Sequence, residues 1–135
     1  MAAPNRLSLK HKQALTRPLV DALIAFRLGR GTEDHYYDLG GALFIASEIV
    51  QVVARHRHLK PDVDQALAAL RDVHQRKRQR TVSDAYWAAT EDEMVSLELG
   101  VDIYKALLDT TPGPQVLRSM RRVLNDIDKK LRGQS

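Results

Sequence analysis

The chain contains no cysteine. That absence removes disulfides, thiolate metal sites and cysteine nucleophiles together. Aromatic residues make up only 5% of the sequence, and they do not alternate with basic residues in the way that stacks single-stranded bases. No phosphate-binding glycine loop is present. Long apolar runs are missing too: the longest, residues 40–54, is interrupted by Glu48 and Gln51 and is shorter than the roughly 20 residues that span a bilayer. No membrane partner is expected. Residues 1–12 carry Arg6, Lys10 and Lys12 and lack the apolar stretch of a secretory signal, so a cytoplasmic location is the expectation.

What is present is ordinary globular usage. The 135 residues, 44% apolar and 28% charged, fit one domain and lie far from the composition of disordered chains. The net charge of +4 invites a nucleic-acid reading, because phosphate attracts any basic surface. The charge is blocky, however: +5 over residues 1–31, −2 over 32–58, +3 over 59–80, −6 over 81–110 and +4 over 111–135.

No stretch alternates with period two for long, whereas several repeat apolar residues every three or four positions, which predicts an all-α chain, a compact bundle of about five helices. The first is expected from Pro18, behind a Thr16 cap, to the stop at Gly29 and Gly31, preceded by a mobile arm over residues 1–15 and opening a single helical domain over 16–132. The second opens after Thr32 with Glu33 and Asp34 at its positive end and runs to about Arg57. Its apolar residues cover more than half its circumference, so it is central or packs on a second copy. Gly40 and Gly41 lie inside it and read as a close helix crossing or a kink rather than a ligand site. The third helix starts at Pro61 and ends in a basic run. An aromatic connector with Tyr86 and Trp87 leads to Thr90 and Glu93, a capping box that starts the fourth. The fifth, after Pro112 and Pro114, carries the cleanest seam, Val116, Met120, Val123, Ile127 and Leu131 beside Leu117 and Leu124.

The basic run, Arg76, Lys77, Arg78 and Arg80, with Lys129, Lys130 and Arg132 at the end of the fifth helix, supplies the candidate contacts to nucleic acid or an acidic partner. Cations are also favoured at helix C-termini by the dipole. If consecutive helices are antiparallel, the basic run lies beside Glu33, Asp34, Glu91 and Glu93 and is partly neutralised there. A helix-turn-helix has no suitable second helix, since the element after Gly31 is acidic at its start and too apolar in its body. His56 and His58, two apart, point to different faces of a helix and make a poor metal pair. His35, Tyr36, Tyr37 and Asp38 read as one tyrosine packed inward and one on the surface. Ser47, Ser83 and Ser119 lack a nucleophile's surroundings. No catalytic residue, metal ligand or cofactor site is assigned.

On Leu15, Thr16, Arg17 and Pro18, the connector Trp87, then Glu93, Leu97, Tyr104, Leu108 and the restart over 112–117, the chain resembles a group of short all-helical proteobacterial proteins of unknown function, often labelled as factor-for-inversion-stimulation-like regulators. The resemblance covers residues 15–124 and implies a bacterial, cytoplasmic, helical protein. The label implies DNA binding through a C-terminal helix-turn-helix; the last helix departs from that pattern, having no helical turn partner of the right spacing. No functional residue is carried over. The expectation is a non-enzymatic interaction module acting as an accessory or regulatory factor through a protein partner, with homodimerisation through the second or fifth helix. A basic, sequence-tolerant nucleic-acid-binding regulator is the alternative.

Overall fold

An apolar stripe that runs most of the way round a helix needs neighbours on most sides, and the stretch after Thr32 has such a stripe. Helix α2, Glu33–Val52, buries Leu39, Ala42, Leu43, Ala46, Ile49 and Val50. It is touched by α1 (Leu9–Arg27), α3 (Lys60–Gln79), α4 (Glu91–Thr110) and α5 (Gly113–Leu131). Helix α4 packs on α1 and α3 as well, so the first four helices close a bundle, while α5 leans chiefly on α2. This computed structural model describes residues 7–79 and 87–131, and among the described residues the chain is all-α, without a strand.

The helix ends follow their local chemistry. Helix α1 stops in a Schellman turn: Arg30 donates its N–H to the Ala25 carbonyl at 2.7 Å and Gly29 to Phe26 at 3.2 Å, with Gly29 at φ +70°. Gly31 then exchanges both backbone hydrogen bonds with Trp87, at 2.9 and 2.8 Å, where a Cβ would fall 2.1 Å from the Phe26 ring. Thr32 caps α2, its hydroxyl accepting from the His35 N–H while His35 Nδ1 accepts from the Thr32 N–H at 3.1 Å. Thr90 and Glu93 form the expected capping box on α4.

Two helix limits differ from the sequence reading. Helix α1 begins at Leu9 under a Ser8 cap, with Pro18 inside it, so residues 9–15 are helical rather than an arm; residues 1–6 of that arm lie outside the described residues. Tertiary contact explains the extension. Leu15 continues the stripe of Leu19, Ala22 and Phe26, and Lys12 reaches Asp109 at 2.7 Å, contacts that favour the helix against the roughly 3 kcal/mol that an interior proline costs. Helix α2 ends at Val52 instead of Arg57, because Val53 turns extended and Ala54–Leu59 forms a 3-10 turn. In that turn Arg55 reaches the Thr110 carbonyl at 2.5 Å and Arg57 the Gln51 carbonyl at 3.2 Å, so both cations close helix C-termini.

The close helix crossing is made by a different glycine. A Cβ on Gly100 of α4 would lie 2.5 Å from the Ala66 Cβ and 2.7 Å from Leu43 Cδ2, so α4 approaches α2 and α3 only because that side chain is absent. A Cβ on Gly40 would make ordinary contact with Leu70 at 3.6 Å, and one on Gly41 would meet nothing within 4 Å.

Candidate functional site

The basic run is partly absorbed by the fold. The Arg76 guanidinium forks onto Glu93, with Nη1 to Oε2 at 3.0 Å and Nη2 to Oε1 at 2.7 Å, and Nη2 also donates to the Ala88 carbonyl at 2.7 Å. Glu93 Oε1 accepts the Thr90 N–H at 2.8 Å as well. The hydrogen bonds from Arg76 hold the Glu93 carboxyl below its usual range, with the Thr90 backbone adding to the effect, and Glu93 in turn raises Arg76. One arginine thus ties the end of α3 to the start of α4, the neutralisation anticipated from charge order. Lys77 is half-buried near the end of α3, and Lys129 is exposed near the end of α5. Arg80 and Arg132 lie outside the described residues, as do the side chains of Arg78 and Lys130.

Tyr36 and His74 serve packing. Tyr36 stacks on His74 at 5.0 Å and lies 4.9 Å from Trp87, filling the pole between the start of α2 and the end of α3. Tyr37 turns outward and donates to Glu33 at 3.1 Å, a bond that raises its pKa. His56 sits on the 3-10 turn with Nε2 3.5 Å from the Thr110 hydroxyl, and burial, with Arg55 and His58 nearby, lowers its pKa. Among the described residues, no group of three His, Asp or Glu side chains is placed to hold a metal ion. Tyr86 and Ser83 fall outside the described residues.

The larger of two concavities among the described residues lies where the sequence marked Gly40 and Gly41 as a helix crossing and Tyr36 and Tyr37 as packing residues. Helices α3 and α5 both rest on α2, and between them runs a groove of about 840 Å³. Its floor is Gly40 and Gly41; Tyr36, Tyr37 and Phe44 of α2, Leu67 and Leu70 of α3 and Ile127 of α5 form its walls, and Asp64 and Arg71 stand on the α3 rim. The diglycine keeps the floor low, since two ordinary helix residues would project side chains into this space. Around the groove large apolar side chains face solvent: Tyr37 is 61% exposed, Phe44 48% and Ile127 39%.

Helix α5 accounts for much of that exposed surface. Val116, Ser119 and Val123 are buried on α2, but Leu117, Ile127 and above all Leu124, 65% exposed, are left out. The seam expected to pack is therefore two seams, one covered and one open. On the opposite flank α5 is pinned by Arg122 to Glu48 at 2.7 Å, beside a smaller polar notch of about 210 Å³. Leu117, Met120, Leu124 and Ile127 repeat at alternating three- and four-residue spacing, Met120 half-buried against the core and the other three exposed, a pattern that suits a helix-packing surface. Comparison with protein-family models, with curated proteins and with solved structures returns no match.

Proposed function

We propose that this chain is a helical interaction module whose working surface is the groove between α3 and α5, and that it acts as an accessory or regulatory factor by receiving an amphipathic helix there. The observation that carries the reading is the groove itself: an apolar trough of about 840 Å³ floored by two adjacent glycines and walled by exposed Phe44, Tyr37 and Ile127. Monomeric domains seldom expose large contiguous apolar surface without a partner for it. A trough walled by helices accepts a helix through apolar anchors one turn apart. The rim fixes orientation, because Asp64 and Arg71 place opposite charges two turns apart along α3.

The basic run supports a nucleic-acid contact less well, since Arg76 is engaged by Glu93 and Ala88. The test is an anisotropy titration with a labelled amphipathic helical peptide carrying leucines at alternating three- and four-residue spacing. Saturable binding that Phe44→Asp and Gly41→Leu each weaken at least tenfold is the expected result. Binding that both variants leave unchanged, or no binding to the monomeric chain, contradicts the proposal.

A further inference from the structure

We infer that the helix received in the groove is α5 of a second copy of this chain, in a symmetric dimer whose two α5 helices run parallel; this deepens the groove reading above and rests on it. The order of side chains round α5 carries the inference. At about 100° per residue, and starting from Val123 and Val116 buried on α2, the next positions in one direction are Ile127 and Met120, then Leu131 and Leu124, then Leu117, and last Asp128 and Arg121. Ile127 lines the groove, so this direction points into it. A helix laid there meets three neighbours in turn: the first copy's α5, its α2 floor and its α3 rim. In the second copy's α5 the same order presents Ile127 and Met120 to the first copy's α5, Leu124 and Leu117 to its α2, and Asp128 and Arg121 to the α3 rim. By symmetry the first copy's α5 fills the second copy's groove.

Charge selects the orientation. Helix α5 is antiparallel to α2, with Gln115 and Ser119 beside Val52 and Glu48 at one end and Ile127 beside Phe44 at the other. Helix α3 is also antiparallel to α2, since the short 3-10 turn joins them and Leu70 faces Gly40. Helices α3 and α5 therefore run in the same direction. Asp64 and Arg71 on the rim are seven residues apart, as are Arg121 and Asp128 on α5. A second α5 running parallel to the first sets Arg121 against Asp64 and Asp128 against Arg71, whereas the antiparallel choice sets arginine against arginine and aspartate against aspartate. Asp64 already pairs with Lys60 one turn away at 2.7 Å, and a forked arginine is a stronger partner for the same carboxylate.

The experiment is sedimentation equilibrium of the full chain from low to high micromolar concentration, with three variants and one peptide arm. The wild type is expected at about twice the chain mass of 15.2 kDa. Gly41→Leu, which meets no atom of its own monomer at Cβ, and Leu124→Glu, at an exposed position, are each expected to raise the dissociation constant at least tenfold with circular dichroism unchanged. Arg121→Asp is expected to weaken the dimer, and adding Asp64→Arg to restore it to within about threefold of wild type. A dimer that survives both Gly41→Leu and Leu124→Glu overturns the inference, because another surface then holds it. A strictly monomeric chain that still binds the unrelated leucine peptide also overturns it and leaves the groove as a site for a different protein. A monomer that binds no peptide removes both.

Discussion

At the scale of single residues, glycines of one sequence type do opposite jobs, and the side chain facing each decides which. Gly100→Ala would press a methyl against Ala66 and Leu43, contacts that packed side chains cannot clear without backbone movement. We expect it to cost about 1–3 kcal/mol by chemical denaturation. Gly41→Ala meets open space and gains the helix preference of alanine, so it should stabilise by about 0.5–1 kcal/mol. The sequence shows that a glycine sits in a helix and not what stands opposite it, which is why the close crossing was expected at Gly40 and Gly41. Thr90 and Glu93 were legible because a capping box is local, and the Arg76 pairing was legible from charge order along antiparallel helices.

Glu93 also sets a pH dependence. Hydrogen bonds from Arg76 hold its folded pKa below the ordinary 4.5, so its contribution is fully present above about pH 4.5 and is lost as the pH falls through the lowered value. Glu93→Gln should cost about 1–3 kcal/mol at neutral pH and flatten the acid limb of the stability curve, read by urea melts across that range. His56 acts in the same direction through a different cause. Burial lowers its folded pKa below 6.5, so above that value both states are neutral and nothing is lost, while below it the unfolded chain takes up the proton first and stability declines.

At the scale of elements, α1 shows how packing overrides a local signal. Pro18 read as a first-turn residue because its ring suits that position, yet the helix runs back to Leu9 and leaves the proline in its interior. The two placements predict different outcomes for Pro18→Ala. At a first turn the change gains little, whereas in an interior it relieves a ring clash and restores a hydrogen bond. We expect a gain of about 1–3 kcal/mol in thermal or denaturant unfolding, since the position is exposed. Helix α5 is the complementary lesson. Its periodicity announced an apolar face but not what covers it: Val116 and Val123 are buried while Leu117, Leu124 and Ile127 beside them stay exposed.

At the scale of the whole molecule, the all-α architecture and the central place of α2 follow from periodicity and from the breadth of one apolar stripe. The groove does not, because it exists only where α3 and α5 flank α2 and the diglycine lowers the floor between them. Formal charge was a poor guide at this scale. A chain of net charge +4 spends Arg55, Arg57 and Arg76 on its own helix ends. Salt should accordingly weaken the proposed dimer only modestly, through the rim contacts proposed for Arg121 and Asp128, while the apolar floor persists.

The most direct test of the groove as the working surface is an amide chemical-shift map of isotopically labelled protein at low micromolar concentration, titrated with the amphipathic leucine peptide. The account predicts saturable shifts concentrated at Tyr37, Gly40, Gly41, Phe44, Leu67 and Ile127. Shifts centred instead on Arg76, Lys77 and Lys129, or an unchanged spectrum at a concentration where the chain is monomeric, would contradict it.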